Sequence, residues 1–339
     1  MQHILLIYTG GTIGMVKDSD TGVLCPFNFD NLLVQIPQLK TINAQIDTLS
    51  IPNPKDSADM HPEDWQFLGQ LIFDKYDDYD GFVVLHGTDT MSYTASALSF
   101  MFENLTKPII FTGSQLPVGD IRTDALENVL TAIQIALLTK KGKPAINEVG
   151  LCFDSRLLRA NRSTKISSNQ FKAFDSPNYP PLVTSGVNLQ INEMALLKSD
   201  FSKKTIFNKS LDTRVFLLKM HPGVTQKMFE SLCNSVGFQI LIIESYGSGT
   251  VFVDDWFVKS VLKLREQKKI IINCSQCVQG GVEQDIYASS AFLKIAEVLT
   301  AKDMTTESVL VKSMRLLSEN YDFLNFKNEF EKSFSGESS

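Results

Sequence analysis

Thr9-Gly10-Gly11-Thr12-Ile13-Gly14 follows the apolar run His3-Ile4-Leu5-Leu6-Ile7-Tyr8 near the start of the chain. A short run rich in Ile and Leu has the length and branching of a buried β-strand. Glycines on both sides of Thr12 allow a sharp turn and the close approach of a small ligand to the backbone. The stretch reads as a first strand whose carboxyl end presents the Thr12 hydroxyl, where open α/β sheets bind their ligands. It is not a dinucleotide fingerprint, because Thr12 and Met15 occupy the second and third glycine positions counted from Gly10. It is not a P-loop either, which would need Gly and Lys where Met15 and Val16 stand. A strand ending in a tight turn, with Thr12 as a turn hydroxyl, accounts for the same residues.

The pattern repeats downstream. Gly81–His86, Pro108–Thr112 and Val149–Phe153 read as buried strands. Pro62–Lys75, Met91–Leu105 and Asp124–Leu138 read as helices, with Leu98, Met101, Phe102 and Leu105 at helical spacing in the second. Strand-helix alternation of this kind predicts a parallel sheet with right-handed crossovers, its polar loops converging at one edge. The expected architecture is α/β: a larger N-terminal domain over 1–197, with a mostly parallel Rossmann/flavodoxin-like sheet, and a smaller C-terminal α/β domain over 213–339. Lys, Ser, Asp and Thr dominate 198–212, which reads as a linker. In the second domain Arg214–Met220, Gln239–Glu244 and Lys269–Cys274 read as strands, and Gln226–Ser235, Asp254–Gln267, Ala288–Leu299 and Thr306–Met314 as helices. Another helix is expected near the end, and Ser335–Ser339 as a frayed tail.

Composition narrows the functional classes. The 339 residues are 43% hydrophobic and 21% charged, the proportions of an ordinary globular protein. A net charge of -6 without a basic run argues against nucleic acid as a partner. The apolar runs are strand-sized, so no membrane partner is expected. No signal-type stretch leads the chain, which makes the cytoplasm the expected address. Five cysteines, an odd number, make no disulfide framework. Cys274-Ser275-Gln276-Cys277 lacks a second pair at ligand spacing and reads as strand-end packing.

A second strand-to-loop junction, Leu85-His86-Gly87-Thr88-Asp89-Thr90-Met91, carries more polar chemistry. Thr88 or Asp89 can cap the helix that follows, and a carboxylate there also suits a substrate ammonium group. His86 reads as structural rather than as a base. The other histidines, His3, His61 and His221, lie far apart, and neither a G-x-S-x-G elbow nor an H-E-x-x-H helix occurs. Threonines remain as candidate nucleophiles, each in need of an activating partner.

Tyr8-Thr9-Gly10-Gly11-Thr12-Ile13-Gly14-Met15 and Leu85-His86-Gly87-Thr88-Asp89-Thr90-Met91 together resemble the two signatures of the bacterial-type L-asparaginase family. The likeness continues through Thr112-Gly113-Ser114-Gln115-Leu116-Pro117, Ala160-Asn161-Arg162-Ser163-Thr164-Lys165 and Glu244-Ser245-Tyr246-Gly247-Ser248-Gly249. It spans nearly the whole chain and is nearer to the cytoplasmic type I enzymes than to the secreted type II enzymes. The resemblance implies hydrolysis of L-asparagine to L-aspartate and ammonia, with Thr12 as nucleophile and Thr88, Asp89 and Lys165 in support. It implies that Asp56-Ser57 receives the substrate carboxylate and that the backbone at Ser114 faces the substrate amide. It also implies a homodimer or homotetramer and no metal or organic cofactor. Two alternatives share the motifs: a glutaminase-leaning amidohydrolase, and an asparagine-binding protein with lost turnover.

A threonine hydroxyl attacks an amide only after proton removal or strong polarisation. Lys165 can assist only as a neutral amine, which burial or nearby positive charge favours. The sequence departs from the family pattern at three places. Leu24 stands where members place a Tyr before a Pro, here Pro26. Thr250 replaces a common Asn, and Val282–Tyr287 lacks the usual glycines.

Overall fold

Every residue from Ile4 to Tyr8 is buried in β1 (His3–Tyr8), a strand inside an eight-stranded sheet. The structure is a computed structural model that describes all residues except 18–23, 27–35, 236 and 284–290. It divides into two compact units, Met1–Lys209 and Ser210–Ser339.

The remaining strands of the large sheet are β2 (Gln45–Ser50), β3 (Gly81–Leu85), β4 (Ile109–Thr112) and β5 (Val149–Phe153), then β6 (Arg156–Arg159), β7 (Val183–Ser185) and β8 (Leu189–Ile191). Their spatial order is β8-β7-β6-β5-β4-β3-β1-β2. The first five strands in sequence run parallel and the last three antiparallel. The parallel part therefore has the flavodoxin-like order, in which winding reverses between β1 and β3. Register pairs Tyr8 with Leu85 and Leu85 with Thr112. The loops that begin at Thr9, His86 and Gly113 thus leave the sheet side by side.

Helices α1 (Pro62–Asp74), α2 (Met91–Met101) and α3 (Ala125–Ala136) belong to this unit. Ile4, Leu6, Tyr8, Val83, Leu85 and Ile110 share one core cluster with Val129, Ala132 and Ile133 of α3. The alternate strand residues Leu5, Ile7, Phe82, Val84 and Phe111 are buried too. A sheet covered on both faces needs continuous apolar strands, each large side chain contributing about 2 kcal/mol.

The apolar runs located the interior parallel strands and not β2 or β6–β8. β2 is an edge strand, partly exposed along its length, so little selects for apolar residues there. β6 returns from β5 through Asp154-Ser155, whose φ angles of 48° and 59° suit a tight hairpin. α2 is shorter than its periodicity suggests. It ends at Met101, and Phe102–Glu103 pairs antiparallel with Ile206–Phe207. Asn104 donates to the carbonyls of Asp200 and Lys203, each at 3.0 Å. Much of the stretch read as a linker is thereby built into the first unit.

Among the described residues the second unit holds four parallel strands in sequential order: β9 (Val215–Lys219), β10 (Ile240–Ser245), β11 (Ile270–Ser275) and β12 (Leu299–Thr300). Its helices are α4 (Gln226–Ser235), α5 (Asp255–Glu266), α6 (Ala291–Ile295), α7 (Thr306–Leu317) and α8 (Phe323–Glu331). Leu241, Ile243 and Ile271 pack with Phe229 and Phe257, whereas Ile240, Ile242 and Ile272 pack with Val309 and Phe326. The helix expected over Ala288–Leu299 gives way to β12 at Leu299.

Residues 335–339 are not the frayed tail that their composition suggests. Glu337 is fully buried against Lys312 of α7, which is fully buried as well. Lys312 also donates to the carbonyls of Phe330 at 2.7 Å and Lys332 at 2.6 Å. The tail folds back because a buried ammonium demands compensation. Its partner lies 25 residues away, beyond the reach of local composition.

Candidate active site

Three loops that follow the adjacent strands β1, β3 and β4 build the site, with the Asp56-Ser57 loop and the Lys165 segment brought against them. The first is held from below. The Thr9 N–H and hydroxyl both donate to Leu85 O at 3.0 Å, and the Lys55 N–H donates to Thr9 O at 3.0 Å. Gly10 and Gly11 have φ of 120° and 88°, and Thr12 opens a short 3-10 turn over Thr12–Gly14. A Cβ on Gly11 would stand 2.4 Å from the Gly87 Cα. That approach brings the Thr12 loop directly against the loop that carries Thr88.

Neither Thr88 nor Asp89 caps α2, contrary to the expectation. Thr90 is the N-cap residue, and its side chain makes no capping bond. Instead the Thr90 hydroxyl donates to Ser57 O at 2.6 Å, and the Asp89 N–H donates to Ser57 Oγ at 3.2 Å. Ser57 is buried and starts the 3-10 turn Ser57–Asp59, which Asp56 caps through the Ala58 N–H at 3.0 Å. The Asp56-Ser57 loop is thus tied to the Thr88-Asp89 turn through Ser57, while the Asp56 carboxylate serves its own turn.

Relieved of capping, Thr88 and Asp89 meet Lys165. Its Nζ donates to Thr88 Oγ1 at 2.9 Å and to Asp89 Oδ1 at 2.5 Å. The lysine side chain is 18% exposed and the Asp89 side chain 64%, so the amine is sheltered and the carboxylate open to a ligand. The path of the chain explains the meeting. Ser96 of α2 donates to Ala160 O at 3.4 Å, which fixes the Ala160–Arg162 turn against that helix. Thr164–Lys165 then pairs with Phe174–Asp175, and the lysine reaches back to the loop ahead of the same helix.

The third loop follows β4. The Ser114 hydroxyl turns inward to Leu116 O at 2.6 Å, leaving only its backbone for a ligand. Asp124 holds this loop by accepting from the N–H groups of Gln115 and Leu116. Gln115, which sequence reasoning passed over, accepts from the Thr88 hydroxyl at 3.4 Å. Its place in Thr112-Gly113-Ser114-Gln115, at the end of a third adjacent strand, was the available signal. Leu24 belongs to a short strand, Leu24–Pro26, paired with Met15–Lys17. Its side chain lies outside the described residues, as does Tyr287.

Cys274 is buried at the end of β11, where burial pushes its thiol up to about 12, and Cys277 is exposed; both are free. Among the described residues no helix is long and apolar enough to cross a membrane.

A hydroxyl, a sheltered amine and an open carboxylate at the switch point of a flavodoxin-like sheet form the setting of a hydrolase acting on a small polar substrate. The family model for the N-terminal domain of asparaginase matches residues 3–196, and that for the glutaminase/asparaginase C-terminal domain matches residues 214–330. The chain belongs to the asparaginase family and is, as a member, an amidohydrolase. It is 36% identical to L-asparaginase 1 of Escherichia coli over 99% of this chain and 98% of that protein. The crystal structure of L-asparaginase I from Vibrio cholerae superposes with a TM-score of 0.89 at 35% identity, covering 100% of this chain and 99% of that one. The thermostable L-asparaginase from Thermococcus kodakarensis gives a TM-score of 0.90 at 29% identity, with the same coverage.

Proposed function

We propose that this chain hydrolyses L-asparagine to L-aspartate and ammonia through an ester on Thr12. The observation that carries the reading is the Lys165–Thr88–Asp89 cluster, bound to Ser57 and set against the Thr12 loop. Asp89, open to solvent and bearing charge, takes the substrate α-ammonium. Ser57 Oγ already accepts from the Asp89 N–H and keeps its own proton to give to the α-carboxylate. Gripped at both ends, the substrate holds its amide carbon near Thr12.

The α-ammonium takes over Asp89 from Lys165, which leaves the amine to Thr88. Through Thr88 the amine then removes the proton of Thr12, and later that of the attacking water. Thr12 Oγ bonds to the amide carbon, the leaving nitrogen takes that proton back from Lys165 through Thr88 and departs as ammonia, and water hydrolyses the ester to release aspartate. Backbone N–H groups of the first loop and of the Thr88-Asp89 turn stabilise the oxyanion. The likeness to type I enzymes supports a cytoplasmic homodimer or homotetramer.

Thr12→Ala is the test, with ammonia release and asparagine binding measured on the same preparation. The expected result is a folded protein that binds asparagine and has lost more than about 10³-fold in kcat. Near-native ammonia release by that variant would remove Thr12 as nucleophile. A wild type that binds asparagine by calorimetry yet releases no ammonia would be a binding protein instead.

A further inference from the structure

His86 ends the third strand's run into the site, is buried, and has no part in the steps above. Its Nδ1 lies 2.7 Å from the Gly87 carbonyl oxygen. A carbonyl only accepts, so Nδ1 carries the proton. Nε2 is buried without a hydrogen-bond partner among the described residues. An unmade bond of that kind is costly, and a residue needed only to fill space would do better as Leu or Phe. Burial pushes the imidazole down to about 4, so the ring is neutral and a poor base at ordinary pH. The ring forms a T-shaped pair with Phe111, with centroids 6.0 Å apart.

Gly87 is the residue most in need of such a hold. Gly11 backbone presses on it, and a Cβ there would stand 2.6 Å from Ser57 Oγ. Glycine also offers the least resistance to rotation of its peptide. Across the trans Gly87–Thr88 peptide the carbonyl and the N–H point in opposite directions. Holding the carbonyl toward His86 therefore aims the Thr88 N–H away from the ring. That N–H meets no acceptor among the described residues, and it belongs to the residue whose hydroxyl meets Lys165.

We propose that His86 is a positioning residue whose Nδ1–H fixes the Gly87–Thr88 peptide, so that the Thr88 N–H faces the oxyanion formed when Thr12 attacks the amide. This rests on the amide-hydrolysis reading given above. It assigns the histidine a donor role at one nitrogen and none at the other.

The two nitrogens can be told apart by substitution. Asn places an N–H close to the position of Nδ1, whereas Gln, longer and nearer to His in size, reaches toward that of Nε2. For asparagine hydrolysis, His86→Asn is expected to keep kcat within about threefold. His86→Gln and His86→Leu are expected to lose about 10- to 100-fold in kcat with little change in KM, part of the effect of losing an oxyanion donor. Nitrogen-15 NMR of the wild type should show the Nδ1–H tautomer for the buried ring. An Nε2–H tautomer, or equal kcat for the Asn and Gln variants, would overturn the role. If wild type turns asparagine over and His86→Leu does so equally well, this role alone fails. A wild type without turnover would remove the hydrolysis reading and this role together. Should the variants not fold, the tautomer in the wild type decides.

Discussion

Gly11→Ala separates loop geometry from backbone strain. Alanine at the Gly11 φ of 88° costs about 1–2 kcal/mol. Its Cβ would also lie 2.4 Å from Gly87 Cα and 2.5 Å from Gly87 N. Ordinary contact begins at 3.4 Å, and both obstacles are backbone, so the Thr12 and Thr88 loops must part by about 1 Å. Overpacking of that kind adds about 1–3 kcal/mol, while a displacement of 1 Å between reacting groups costs about 10²-fold in rate. The expected variant is folded, less stable by about 3 kcal/mol, and about 100-fold slower in kcat for ammonia release. Gly142→Ala is the control. Gly142 has φ of 75° and nothing within 4 Å of an added Cβ, so it should lose stability and keep kcat. Urea denaturation and steady-state ammonia release on both variants decide the matter. A Gly11→Ala enzyme that is destabilised but within about threefold of wild-type kcat would refute the link between loop separation and rate.

Lys165→Arg keeps a cation beside Asp89 but cannot take a proton, so kcat should fall by more than about 10²-fold with little loss of thermal stability. Appreciable activity in that variant would mean that Lys165 acts by charge alone. Asparagine should exceed glutamine in kcat/KM by about 10²-fold, because a substrate gripped at both α-groups carries a longer side-chain amide past Thr12. Equal values for the two substrates would defeat the two-point grip. Glu337→Gln should cost about 3–5 kcal/mol in urea denaturation, since it leaves the Lys312 ammonium buried without its counter-charge. A loss below about 1 kcal/mol would show that the two backbone carbonyls satisfy Lys312 on their own.

The sequence by itself determined the interior parallel strands, the alternation with helices and the two loops that matter. β1, β3, β4 and β5 are buried on both faces, so burial writes their whole length in apolar residues. The glycines at 10 and 11 are equally legible, since their backbone angles and close approaches exclude other residues. What only the tertiary structure decided is which polar groups meet. Lys165 lies 77 residues from Thr88 and comes back to it because Ser96 anchors the Ala160–Arg162 turn on α2. Thr90 rather than Thr88 or Asp89 became the N-cap, since Ser57, folded in from another loop, takes the Asp89 N–H and the Thr90 hydroxyl. The docking of the last five residues follows the same rule, because Glu337 finds Lys312 across a fold that neither segment encodes locally. Apolar burial repeats with the period of the local element and can be read residue by residue. A polar side chain carries no such period, and its partner is fixed only when the packed core brings distant segments within hydrogen-bond reach.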